Sequence, residues 1–141
     1  METLHVDLDH GLRSFRLALA LDVAAETVAL VGPSGAGKTS VLRVIAGLLR
    51  PEHGRVALGG DTWLDTVSGV DLPPERRRVG LVFQEYALFP HMTVRANVGF
   101  GGRERVDELL ERFGIAALAR ARPATISGGE RQRVALARAL A

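Results

Sequence analysis

Residues 28–42 read VALVGPSGAGKTSVL, and within them Gly32, Pro33, Ser34, Gly35, Ala36, Gly37, Lys38 and Thr39 satisfy the pattern G-x-x-x-x-G-K-[ST]. The apolar run 27–31, ending on glycine, predicts a strand buried on both faces of a mostly parallel sheet. From Lys38 the apolar Val41, Leu42, Ile45, Leu48 and Leu49 recur at helical spacing, and Gly47 with Pro51 marks the stop. Strand, glycine-rich loop and helix in immediate succession place the chain in the α/β class. Glycines let the loop turn its backbone N–H groups inward, and the helix that follows aims its positive end at the same point, so the loop is an anion cradle. Lys38 is the only lysine; the other seventeen cationic side chains are arginines. A compact ammonium fits between terminal phosphates where a wide guanidinium does not. At an effective dielectric of about 20, one such contact is worth about 4 kcal/mol before desolvation. The Thr39 hydroxyl is of the kind that ligates Mg²⁺ beside such phosphates. A chain of this composition produces the pattern by chance on the order of once in a thousand.

The rest of the chain supplies a frame for this loop. Leu4, Val6 and Leu8 alternate with His5, Asp7 and Asp9; after His10 and Gly11, Phe15, Leu17, Leu19 and Leu21 share one face, which predicts an antiparallel hairpin with Phe15 in the core. Residues 55–58 read as a strand turned by Gly59 and Gly60. Residues 65–77 read as surface loop plus a short helix started by proline. Residues 79–83 read as a second buried strand. Beyond Gln84 the loop-rich EYALFPHMTVRANVGFGG gives way to helical patterns over 106–113 and 128–140. A boundary near Gln84 divides 1–84, a β-subdomain plus the core with the phosphate loop, from 85–141, a helical subdomain. With 141 residues and 47% hydrophobic content the chain is expected to be one globular domain, or part of one.

Composition narrows the function classes. The absence of cysteine excludes disulfide frameworks and cysteine metal sites, and the four histidines lack ligand spacing. A net charge of +2 gives little support to a nucleic-acid surface, and nucleic acid is not an expected partner. Arg76, Arg77 and Arg78 read as a solvated helix face or strand entry. No apolar run approaches bilayer length and the first residues lack signal-peptide features, so a cytoplasmic location is expected.

The stretch ISGGERQRVALARALA is a second candidate anion site. Ser127 and Glu130 have the spacing of a capping box, which alone explains a helix start. Gly128 and Gly129, however, cost a first helical turn about 1 kcal/mol each against alanine, and a cap does not need them. Paired glycines bare the backbone for close approach by a phosphate.

In order, GPSGAGKT, RRVGLVFQEYALFPHMTVRANV and ISGGERQRVALARALA resemble the ATP-binding subunit of ABC transporters over essentially the whole chain. The resemblance implies a P-loop NTPase nucleotide-binding domain with an N-terminal antiparallel hairpin, parallel core strands and a helical subdomain. It implies ATP and Mg²⁺ as cofactors and ATPase activity. Gly32 to Thr39 become the Walker A loop, Ser40 a further phosphate contact, and Gln84 the glutamine that reaches Mg²⁺ and the attacking water. Ser127, Gly128 and Gly129 become signature residues, with Ile126 and Glu130 departing from the usual Leu and Gln. In the family that signature closes over ATP held by the other subunit, which implies a homodimer.

Among importers, the segment 72–101 is most similar to the molybdate group and its sulfate and iron relatives. A membrane permease is the implied partner, with Tyr86, Leu88, Phe89 and Pro90 as candidate contacts or a buried subdomain edge. A solute-binding protein is an indirect partner, and the location becomes peripheral on the inner face of the membrane. Phe15, the only aromatic before the loop, is the alternative to core packing as a platform for adenine. By the resemblance the Walker B aspartate, the catalytic glutamate and the switch histidine fall after Ala141, so the chain reads as incomplete and poorly stable alone. A soluble ABC-type ATPase and a non-hydrolysing nucleotide-binding remnant are the alternative readings.

Overall fold

The computed structural model describes residues 2–141, which form two compact units divided between Val79 and Gly80. In the first unit, β1 (Leu4–Gly11), β2 (Arg16–Val23), β3 (His53–Leu58), β4 (Asp61–Asp65) and β5 (Val70–Asp71) make one antiparallel sheet in the order β2-β1-β3-β4-β5. The expected hairpin is β1 with β2, in the register Val6 to Leu21 and Leu8 to Leu19. The helix α1 (Lys38–Ile45) supplies Val41 and Val44 to a core with Val6, Leu8, Val56, Trp63 and Leu64. Burial of each such side chain stabilises the unit by about 1.5–3 kcal/mol.

The turn of β3 into β4 has two residues, with Gly59 at φ 57°, a left-handed geometry that fits a tight hairpin. Val56 pairs with Leu64 but Ala57 pairs with Thr62, so Trp63 is an extra residue in β4, a β-bulge. That bulge is why the consecutive Trp63 and Leu64 are both buried, against the alternation of a flat strand.

Three expectations fail in this unit or at its edge. Residues 27–31 and 79–83 are irregular and belong to no ladder, so the parallel core strands are absent among the described residues. An extended apolar segment becomes a strand only beside a neighbour that takes its N–H and C=O groups; without one, Val31 is 92% exposed and Val28 and Phe83 are also exposed. Phe15 is not in the core either: it ends the four-residue turn between β1 and β2, where Leu12 N–H donates to its carbonyl at 2.8 Å, and its side chain stays exposed. Arg77 is not a solvated charge. It is 1% exposed, whereas Arg76 and Arg78 face solvent. Its guanidinium donates to Val44 O at 2.7 Å and Ile45 O at 3.2 Å, to Leu72 O and to the Asp71 carboxylate. It thereby satisfies the C-terminal carbonyls of α1, and a Cβ on Gly47 would lie 2.7 Å from its Nε.

The second unit packs α2 (Val94–Val98), α3 (Val106–Arg112) and α4 (Gly128–Leu140) around Val94, Val98, Leu109, Leu110, Ile115 and Val134. The patterns expected over 106–113 and 128–140 are α3 and α4. Within the loop-rich segment, α2 forms because Thr93 caps it by accepting from Ala96 N–H at 3.2 Å. Asn97 is fully buried yet satisfied, accepting from Phe89 N–H and donating to the carbonyls of Phe89, Met92 and Thr93.

Candidate functional site

The glycine-rich loop enters α1 through Gly37, whose φ of 88° places the left-handed geometry at the N-cap position. A side chain there is excluded twice, by that geometry and because a Cβ would sit 2.9 Å from Leu17 Cδ2 and 3.1 Å from Leu12 Cδ1. The end of the β1–β2 hairpin thus packs against the loop, with Phe15 exposed beside it. Gly35, at φ 82°, has no atom beyond its two chain neighbours within 4 Å of its Cβ position. The loop is exposed from Gly32 through Gly35, as is Thr39; Ala36, Gly37, Lys38 and Ser40 are half-buried.

The N-terminal end of α1 is left electrostatically open. No side chain caps it and no acidic residue lies in its first turn. An uncapped first turn presents unpaired N–H groups and the positive end of the helix dipole, which attract an anion. Lys38 Nζ folds onto the loop, donating to Gly32 O at 2.8 Å and Pro33 O at 2.6 Å. An ammonium carries three donors, so one remains for a ligand oxygen. These features fit the terminal phosphates of a nucleotide. No cluster of three or more acidic or histidine ligands occurs among the described residues. A Mg²⁺ ion would therefore draw on neutral side-chain oxygens such as the Thr39 hydroxyl and on phosphate and water oxygens, the usual habit of that ion beside phosphates.

The start of α4 is the opposite case. Ser127 Oγ accepts from Glu130 N–H at 3.2 Å while Glu130 Oε2 accepts from Ser127 N–H at 2.7 Å, a complete capping box. Gly128 and Gly129 are exposed, and a Cβ on Gly129 would meet nothing within 4 Å. Packing within the chain does not require these glycines. The Ser127 N–H bonds hold the Glu130 carboxyl below its ordinary range. A depressed carboxylate pKa contributes stability that is present above the unfolded value and lost as pH falls through the folded one. Acidification below the ordinary glutamate range should therefore fray the first turn of α4, as increased amide exchange at Glu130 and Arg131. Glu130→Gln, whose amide oxygen still accepts from Ser127 N–H but does not titrate, should keep the turn and flatten the pH dependence, whereas Glu130→Ala should fray it at neutral pH.

Gln84 lies in the second unit, exposed, at one of the two central positions of the turn 83–86, closed by Tyr86 N–H donating to Phe83 O at 2.9 Å. Tyr86 and Ala87, which follow it, are left-handed at φ 60° and 46°, which costs about 1–2 kcal/mol per non-glycine residue. Arg138, in the last turn of α4, donates from Nη1 to Ala87 O at 2.8 Å and from Nη2 to Tyr86 O at 2.9 Å. Its Cζ stands 5.5 Å from the centroid of Phe89. Gln84 and Ser127 are therefore served by opposite ends of α4. Of the other segment residues, Leu88 packs on the helical core, Phe89 lies between Arg138 and Phe100, and Pro90 is exposed.

Gly32 through Ser40 form one continuous loop and helix start in the first unit, and Ser127, Gly128 and Gly129 form the start of α4 in the second. Arg77 and Arg138 were missed as anchoring residues. The only signal for either is an arginine beside an otherwise apolar segment.

The sequence profile of the ABC transporter family matches residues 18–141, and the chain belongs to that family. Similar curated proteins include the molybdenum import ATP-binding protein ModC of Paramagnetospirillum magneticum, 46% identical over 97% of this chain and 40% of its own length. The ModC proteins of Rhodospirillum rubrum, at 47% over 97% of this chain and 39% of theirs, and of Brucella melitensis, at 48% over 91% and 38%, are comparable. The chain thus spans about two fifths of the length of these relatives. Among solved structures, the ATP-binding cassette MJ0796 in a dimeric post-hydrolysis state bound to ADP and Pi superposes with a TM-score of 0.73 at 30% identity, covering 99% of this chain and 69% of that one. A bacterial Atm1-family ABC exporter with ATP bound gives 0.78 at 31%, covering 98% and 27%.

Proposed function

We propose that the chain is the ATP-binding subunit of an ABC importer, coupling ATP binding and hydrolysis to uptake of an anion such as molybdate or sulfate. The observation that carries this reading is the open N-terminal end of α1 with Lys38 folded over the glycine loop and one ammonium donor free. In this reading Gly32, Pro33, Ser34, Gly35, Ala36 and Gly37 wrap the phosphates with backbone N–H groups. Lys38 and Ser40 add side-chain contacts, and Phe15 stacks on the base from the adjoining hairpin end. Mg²⁺, when bound, neutralises the phosphates and polarises the phosphoryl oxygen; the Thr39 hydroxyl and Gln84 would hold it. Gly128 and Gly129, which nothing in the chain requires, bare the start of α4 for a nucleotide held by a second copy, with Ser127 beside it. The names of the similar proteins support molybdate as solute.

Tyr86, Leu88, Phe89 and Pro90 face a membrane permease, Pro90 exposed and the other three half-buried, and a solute-binding protein acts through that permease. The location is the inner face of the membrane; no helix of the described residues is long and apolar enough to cross it. Within this reading, residues 1–84 hold nucleotide and 85–141 engage the partners.

Titration with a fluorescent ATP analogue tests the first half: saturable binding displaced by ATP is expected, and a signal that ATP does not displace rejects the reading. Molybdate and sulfate uptake by cells in which the gene is disrupted tests the second half. Loss of one is expected, and unchanged uptake of both rejects the import role.

A further inference from the structure

The loop that carries Gln84 is fastened to the last turn of α4 at both ends. At its entry, a Cβ on Gly80 would lie within backbone contact of Ala139 O, so only glycine permits the approach. At its exit, Arg138 holds the consecutive carbonyls of Tyr86 and Ala87 in its two Nη groups. The helix is a firm anchor, since Val134, Ala135 and Ala137 are buried on its inner face. Arg138 is an expensive residue for that place. Burial depresses its pKa, and no carboxylate among the described residues pairs with it. A hydrophobic residue would pack there at lower cost unless the two carbonyls needed holding.

Both carbonyls belong to non-glycine residues in left-handed conformations, which persist only where surroundings over-determine them. A planar fork that grips two successive carbonyls sets their orientation, and a turn whose exit is fixed has its central residues aimed. We infer that Arg138 is the positioning residue for Gln84, holding the strained exit of the turn so that the glutamine keeps one direction. The role of Gln84 rests on the ATPase reading above; the clamp itself does not.

The test uses the chain labelled with ¹⁵N-glutamine, which carries only Gln84 and Gln132. Gln132 lies on α4 and reports whether that helix is intact. In Arg138→Met the Gln84 amide signal should shift and broaden toward that of a disordered peptide while the Gln132 signal stays in place. Adding Ala87→Gly, which takes the left-handed conformation without a clamp, should return the Gln84 signal toward its original position. A simple packing role for Arg138 would not be rescued by a glycine in the turn. If Arg138→Met also moves Gln132, Arg138→Lys decides, because it keeps charge and stem but lacks the planar fork: a displaced Gln84 signal with Gln132 in place is expected. An unchanged Gln84 signal beside an unchanged Gln132 signal, or no recovery with Ala87→Gly, overturns the inference. These spectra need no nucleotide, so failure of the ATPase reading appears in the binding titration and not in them.

Discussion

Lys38→Ala is expected to weaken ATP binding by at least about a hundredfold. Removing an ammonium contact worth about 4 kcal/mol corresponds to about three decades of affinity, and solvent refilling the site returns part of it. The loss has a second cause. Nζ bridges Gly32 O and Pro33 O, so the ammonium also holds the first two residues of the cradle in place. Lys38→Arg separates the contributions: it keeps the charge, but a guanidinium cannot occupy a seat built for a point donor between two carbonyls 2.8 and 2.6 Å away. Calorimetric titration should show binding within about tenfold of the parent for the arginine variant and none for the alanine variant. On the ATPase reading, the arginine variant should still lose most of its turnover. Parent-like binding by Lys38→Ala would remove the phosphate-loop account.

Arg77→Ala should destabilise the first unit by about 3–5 kcal/mol, the usual effect of breaking a buried, hydrogen-bonded ion pair. Four acceptors lose their donor at once: the carbonyls of Val44, Ile45 and Leu72 and the carboxylate of Asp71. A hollow also opens beside Gly47, whose lack of a side chain exists to admit the guanidinium. The midpoint of thermal unfolding should fall by about 10 °C or more. Arg76→Ala and Arg78→Ala, with both side chains exposed, should shift it by no more than about 2 °C. Equal shifts from all three arginines would mean that the run acts as a solvated patch. Because Arg77 closes the C-terminal end of the helix whose other end is the proposed phosphate site, Arg77→Met should also weaken nucleotide binding, through a looser α1 and not through any direct contact.

Local pattern carried most of the frame. The β1–β2 hairpin, β3, α1, α3, α4 and the glycine loop are legible because their periods, caps and turn glycines lie within a few residues of one another. The two apolar runs at 27–31 and 79–83 were read as strands because such runs record burial, and burial depends on neighbours the run does not contain. The bulge at Trp63 hid β4, since two adjacent inward residues break the period of two. Phe15 was assigned to the core by extending an alternation into a turn. The placing of Gly32 to Thr39 in a loop that enters a helix at Lys38 followed from the motif. The buried arginines did not, because a helix end with unpaid carbonyls and a strained turn are features of the fold that no spacing of arginines announces.

The bulge in β4 has a practical consequence. It buries the only tryptophan of the chain in the first unit, while the second unit contains none and holds three of the four α-helices. Indole emission therefore reports the melting of the sheet, and far-ultraviolet ellipticity chiefly that of the helical unit. If the two signals part company during denaturation, the chain is two cooperative bodies joined in series; if they coincide, it melts as one. Nature has placed separate thermometers in the two halves without any label being added.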